Sequence, residues 1–219
     1  PCRGEYYILD KRLKDSLKLL IYPVPHTSGA GLGIHLTNTV DGNILIGPSN
    51  EYIEGREDYA STAGIMELLR QEGHNLLPGL STHDFIRNFS GIRPKQTPPE
   101  TGGFADFVIE KRTEHPGFIN LVGIESPGLT SAPAIARMVR EMVLKHLPAE
   151  LNRYFRAERP GFSTPVAELD HAVKSDLIAQ CPAYGEVICR CEHVTRQEIL
   201  DAIESIPGRI TLSGIKYRT

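Results

Sequence analysis

Residues 33–48 read GIHLTNTVDGNILIGP: two short apolar runs with Asp41-Gly42-Asn43 between them. An Asp-Gly step tolerates positive φ, so this stretch predicts an antiparallel hairpin closed by a type I′ turn. So short a connection excludes a parallel pair, which needs a crossover of a dozen residues or more. The same grammar runs through the first hundred residues. EYYIL, KLLIYPV, GIHLTNT and NILIGP are short, rich in Ile, Val, Leu and Tyr, and separated by turn chemistry. One helix interrupts them over about 58–73, where Ile65, Leu68 and Leu69 recur at helical spacing and Gly73 offers a stop. HDFIRNFSGIRP (83–94) alternates Phe85, Arg87 and Phe89 like a strand with one buried face.

From residue 105 the pattern changes. ADFVIE and GFINLVGI form two strands around a polar turn at His115-Pro116-Gly117, followed by ESPGLTSAP and a helix over about 131–147. Its apolar set is Ile135, Val139, Met142, Val143 and Leu147, and Pro148 ends it. FRAERPGFSTP reads as a linker carrying a short helix near Ala167 to Ala179. Thr195 and Glu198 then make a capping box ahead of a helix that breaks at Pro207-Gly208. The expected fold is α+β: a mostly antiparallel sheet (1–104), a strand–turn–helix part (105–148), a linker (149–183) and a small helical tail (184–219).

A net charge of −3 without a Lys/Arg block argues against nucleic acid as a partner. No apolar run reaches bilayer-spanning length. Three of the four cysteines crowd between 181 and 191, which points to a reducing, cytoplasmic compartment and away from a disulfide scaffold.

Several residues could carry chemistry. His35 is either a satisfied strand histidine or a general base, since imidazole titrates near neutrality. Arg93 is either an ion-pair residue or a guanidinium fork for a carboxylate or phosphate. Gly123 to Thr130 is either a plain strand–helix turn capped by Ser126 or Thr130, or a ligand-facing helix N-terminus. SGAGLG (28–33) is not a dinucleotide fingerprint: after Gly29 and Gly31 that pattern needs glycine at 34, where Ile34 stands. Cys189 and Cys191 are two structural thiols or half of a metal site; Cys181 and His193 could complete a zinc tetrad.

Together PCRGEYYIL, LIYPVP, GLGIHLT, DGNILIGP, FSGIRP and GIESPGLTSAPAIA resemble FAD-dependent oxidoreductases of the D-amino-acid-oxidase-like superfamily. The nearest look is to L-2-hydroxyglutarate oxidases and FAD-dependent glycerol-3-phosphate dehydrogenases. VICRCEHVTRQEIL resembles the start of a bacterioferritin-associated-ferredoxin-like iron–sulfur domain. The resemblance implies a sheet roofing the flavin, His35 as base or substrate partner, and Arg93 as anchor for a small anionic substrate. It implies that Gly123, Ile124, Ser126, Gly128, Leu129 and Thr130 face the flavin, with Arg3 and Tyr6 nearby. For a full-length parent it implies a 2Fe–2S cluster on Cys189, Cys191 and a second cysteine pair past Thr219. The parent could associate peripherally with a membrane or a partner subunit; the acceptor of its electrons and its oligomeric state stay open. The missing glycine-rich grip implies that residues 1–219 are a piece of a longer flavoenzyme and alone hold FAD weakly. Two other classes are expected alternatives: an anion-binding module with a zinc tail, and an amine oxidase of the glycine or sarcosine type.

Overall fold

The computed structural model describes residues 1–24, 32–115, 117–147, 149–150, 152–155, 157–158, 164–205 and 209–219. The chain is mixed α and β with antiparallel sheets, and it divides into two compact units, Pro1–Ala149 and Glu150–Thr219.

The first unit is built around β1 (Cys2–Leu9). Along one edge β1 pairs with β3 (Ile44–Gly47) and then β4 (Glu51–Tyr52); along the other it pairs with β5 (Phe85–Arg93). β2 (His35–Asn38) pairs with β3 and completes the sheet. The β2–β3 hairpin forms as expected but not through a type I′ turn. The Gly42 N–H donates to the Thr39 carbonyl (3.1 Å) and only Gly42 takes positive φ (+85°), so the loop is a turn followed by a left-handed glycine. The Thr39 hydroxyl accepts from the Asn43 N–H (3.0 Å), which favours this wider closure.

KLLIYPV is not a strand. Among the described residues only Ile21 bridges, to Leu36, and Pro23, with no N–H to give, cannot continue a ladder. The helix α1 (Ala63–Leu76) begins five residues later than the apolar periodicity suggests. The reason is tertiary: Asp58 pairs with Arg3, and the Thr62 N–H and hydroxyl donate to Glu5 (2.7 and 3.0 Å), which holds 58–62 extended toward the sheet. Gly73 lies inside α1 and does not end it. A Cβ there would stand 2.6 Å from Ile46 Cδ1, so glycine lets the helix approach β3. The buried stripe is Met66, Leu69 and Gly73, while Leu68 turns outward. It closes over Tyr7, Leu9, Leu36, Ile44 and Ile46, which form the core with Leu17 and Leu80. Each such aliphatic side chain contributes roughly 1.5–3 kcal/mol on burial.

β5 is a strand, yet it has no fully buried face: Ile86 and Phe89 are both exposed in part. Beyond it, β6 (Val108–Lys111) and β7 (Ile119–Val122) make the expected antiparallel hairpin. The helix α2 (Gly128–Leu144) starts earlier than expected, with Pro127 at its N-cap, so neither Ser126 nor Thr130 caps it. The expected stop at Pro148 lies outside the described residues, as do Pro116, residues 28–31 of SGAGLG and the Pro207-Gly208 break.

In the second unit α3 (His171–Gln180) leads to a hairpin of β8 (Val187–Cys189) and β9 (Val194–Thr195). The helix α4 (Arg196–Ser205) and the short α5 (Leu212–Lys216) follow. The capping box is present: the Thr195 N–H donates to Glu198 (2.8 Å), and the Thr195 hydroxyl takes the Glu198 N–H. Glu198 also accepts from the Val166 N–H (2.8 Å), tying residues read as linker into this unit. Among the described residues no helix is long and apolar enough to cross a membrane.

Candidate functional site

Strand register separates the two faces of the first sheet. Residues opposite one another in antiparallel strands point to the same side. Leu36, Ile46 and Tyr7 form one cross-strand row, and it faces the core. The neighbouring row is His35, Gly47, Tyr6 and Phe89, and it must face the other way. Gly4, Gly91 and Arg93 share this second face.

The second face is open in part: Phe89 and Gly91 are exposed, and Tyr6, His35 and Arg93 are half-buried. Gly47 sits at φ +146°, and a Cβ on it would come within 2.6 Å of Tyr6 Cδ1. Glycine at this position therefore makes room for the Tyr6 ring, which covers the buried Gly47 backbone beside His35. Tyr6 stacks on Phe89 (4.9 Å between centroids, 4° between planes), giving a flat aromatic platform. Burial pushes the Tyr6 phenol above its ordinary pKa, although the Arg93 charge opposes this, so the hydroxyl keeps its proton at neutral pH.

His35 is half-buried and stacks on Tyr22 (4.4 Å). Its Nδ1 lies 2.9 Å from the Gly33 carbonyl oxygen. A carbonyl only accepts, so Nδ1 is the donor, and in the neutral ring the lone pair falls on Nε2. This is the tautomer a general base needs.

Arg93 reaches from β5 back across Gly4, where a Cβ would meet its Nη2 at 3.1 Å. The same Nη2 donates to the carbonyls of Ser49 and of Arg3 (3.3 Å to the latter). These bonds fix the guanidinium without neutralising it. Among the described residues Arg93 forms no ion pair, and its buried Nε has no acceptor. Arg3 is the opposite case. It is buried on the core-facing side with Glu5 (3.3 Å), Glu51 (2.6 Å) and Asp58 (2.8 Å) around it, and the Glu51 hydrogen bond foremost raises its pKa. Arg3 anchors loops to the sheet; it does not belong to the open face.

The second expected element is the turn before α2. Gly123 takes φ +68°, and Gly123 and Gly128 are buried, whereas Ser126, Leu129 and Thr130 are exposed. Gly128 packs under Ile124, leaving no room for a Cβ, which would stand 2.5 Å from Ile124 Cγ2. Glu125 to Thr130 line an open hollow of about 390 Å³. The Gly128 N–H is used by the Glu125 carbonyl (2.6 Å) and Ser131 by Pro127, while the Leu129 and Thr130 amides meet no acceptor among the described residues. Free amides at a helix start, over a hollow with no acidic side chain but Glu125, suit an electron-rich ligand edge. This fits the ring end of a flavin; no glycine-rich pyrophosphate grip lies among the described residues.

Cys189 is half-buried, Cys191 exposed, and both thiols are free on the β8–β9 hairpin. Cys181 instead donates to Gln197 (3.4 Å). Among the described residues no three His, Cys, Asp or Glu side chains gather to hold a metal, so Cys181, Cys189, Cys191 and His193 do not form the zinc tetrad weighed from sequence. Two thiols also fall short of the four ligands an iron–sulfur cluster takes.

Sequence reasoning missed Gly47 and Phe89. Gly47 stands in NILIGP as an apparent strand end, and only the register reveals that it lies between His35 and Tyr6 and makes room for the Tyr6 ring.

Known proteins bear on this arrangement. The family described as DAO, FAD dependent oxidoreductase, matches residues 1–142. A glycerol 3-phosphate dehydrogenase of Caloramator mitchellensis is 34% identical over 100% of this chain and 44% of its own length. An L-2-hydroxyglutarate dehydrogenase of Arabidopsis thaliana is 36% identical over 65% of this chain and 31% of its own. Among solved structures, the FAD-bound L-alpha-glycerophosphate oxidase of Mycoplasma pneumoniae superposes with a TM-score of 0.53 at 28% identity, covering 65% of this chain and 35% of that one. The chain thus spans less than half the length of these relatives.

Proposed function

The chain belongs to the DAO family of FAD dependent oxidoreductases, and we propose that it forms the substrate-facing part of an enzyme that oxidises a secondary alcohol bearing an anionic group. Glycerol 3-phosphate is the favoured substrate, with L-2-hydroxy acids such as 2-hydroxyglutarate next. The relative named for glycerol 3-phosphate matches along the entire chain, tail included, which weighs toward that member of the pair.

The observation that carries this reading is that Arg93, with no ion pair among the described residues, and His35, held through Nδ1 by a carbonyl, lie on one face of the sheet. Arg93, held by two carbonyls, keeps its charge for a phosphate or carboxylate. His35 Nε2 takes the hydroxyl proton while Nδ1 stays bonded to Gly33. Tyr6, protonated, can donate a hydrogen bond, and its stack with Phe89 gives a flat aromatic wall. The Leu129 and Thr130 amides at the start of α2, unpaired among the described residues, support a role in holding an electron-rich ring edge. A bound FAD supplies the two-electron acceptor for such an oxidation. An iron–sulfur cluster would need two ligands beyond Cys189 and Cys191.

Anaerobic bleaching of the flavin absorbance in the loaded protein tests the reading. Glycerol 3-phosphate should bleach it, uncharged glycerol should not, and His35→Gln should slow the bleaching by about 10²–10⁴-fold. Faster bleaching by glycine or sarcosine would move the protein to amine oxidation.

A further inference from the structure

Three consecutive side chains just beyond Arg93 have no role in the reading above. Lys95 Nζ donates to Glu125 Oε1 (3.2 Å) and to the Gly103 carbonyl (2.7 Å), and lies 4.5 Å from the centre of the Phe104 ring. This ion pair is buried, with side-chain exposures of 3% and 6%. Gln96 Nε2 donates to the carbonyls of Asp106 (3.0 Å) and Val122 (3.3 Å). Thr97 Oγ1 meets Tyr52 OH at 3.1 Å, reaching β4 on the far side of β1 from β5. Gly123 completes the fit: a Cβ there would fall 2.0 Å from Gln96 Nε2.

From these contacts we propose that Lys95, Gln96 and Thr97 form a positioning clasp that holds the Gly123–Thr130 turn in register with Arg93. Lys95 follows Arg93 by two residues, so the clasp begins within about 7 Å of the anchor's own backbone. Glu125 opens the turn, and its carbonyl accepts the first amide of α2. A shift of the turn against β5 would have to part a buried lysine from a buried carboxylate, leaving each charge uncompensated. Gln96 guards the turn's second degree of freedom, the left-handed bend at Gly123, by bonding the carbonyl immediately before it. Lys95 touches neither substrate nor flavin in this scheme; it acts through Glu125.

The clasp rests on the proposed function only for its consequence, and one set of variants separates the two. Lys95→Met in the flavin-loaded holoenzyme should raise hydrogen–deuterium exchange of the 123–131 amides at least tenfold while β1 and β3 keep their protection. Lys95→Arg, which retains a cation opposite Glu125, should restore most of that protection. Gly123→Ala, which displaces Gln96 without altering a charge, should loosen the same amides. The dissociation constant for FAD should rise about tenfold in Lys95→Met and recover in Lys95→Arg. Equal loss of protection across β1, β3 and the turn, or an arginine variant as loose as the methionine one, overturns the clasp. Local loosening with unchanged FAD binding would leave the clasp standing and remove the turn from the flavin site.

Discussion

Arg3 and Arg93 enter the same sheet from opposite faces, and their surroundings differ as sharply as two arginines can. Arg3 is enclosed by three carboxylates, whereas Arg93 is steadied by two carbonyls and opposed by no acid among the described residues. A carbonyl fixes a guanidinium in place but leaves its charge available, while a carboxylate consumes it. The core-facing side of the sheet therefore secures loops and the α1 helix. The open side holds the Arg93 charge and the His35 imidazole in readiness for something else.

Replacing each arginine should give different failures, and the largest effect belongs to Arg3. Arg3→Leu leaves Glu5 buried without its cation and should cost about 3–5 kcal/mol in urea unfolding. Equal destabilisation by Arg93→Leu would break the contrast. A second pair compares the faces through apolar side chains. Leu69→Ala, beneath α1, should cost about 2–5 kcal/mol. Phe89→Ala, on the open side, gives up one partly exposed aromatic stack and should cost about 1 kcal/mol. A penalty at Phe89 matching that at Leu69 would mean that the open face is a core of its own.

Arg93→Lys sharpens the contrast through kinetics. Lysine keeps the charge but lacks the planar fork, so KM for the anionic substrate should rise about tenfold with kcat little changed. Unchanged kinetics would take Arg93 out of the site.

Much of this was legible in the sequence, for identifiable reasons. Hairpins announce themselves locally, so β2–β3 and β6–β7 and the Thr195–Glu198 box follow from residues a few positions apart. The start of α1 does not, because Asp58 and Thr62 answer to Arg3 and Glu5, more than fifty residues away. KLLIYPV has the composition of a strand, yet Pro23 denies it a ladder. His35 and Arg93 could be named as chemistry-bearing types. Which face each occupies depends on register, and register joins strands whose pairing no local pattern specifies.

The smallest effect lies where β5 begins, at the point both faces share. Asp84 accepts from the Ser81 N–H (2.7 Å) and hydroxyl (3.0 Å) and from Arg12 (2.9 Å). The Ser81 amide foremost, then its hydroxyl and the Arg12 charge, hold the Asp84 carboxyl below its ordinary pKa. A depressed carboxyl binds fewer protons in the folded state than in the unfolded chain. Its contribution is therefore complete above the ordinary carboxylate value and is lost as pH falls through the depressed one. Asp84→Asn should lower the melting temperature slightly at pH 7, and the gap from the parent should close on acidification. A gap that stays constant from pH 7 to pH 2 would mean that Asp84 stabilises β5 through shape and not through charge. The start of β5 would then owe nothing to the electrostatics that distinguish Arg3 from Arg93.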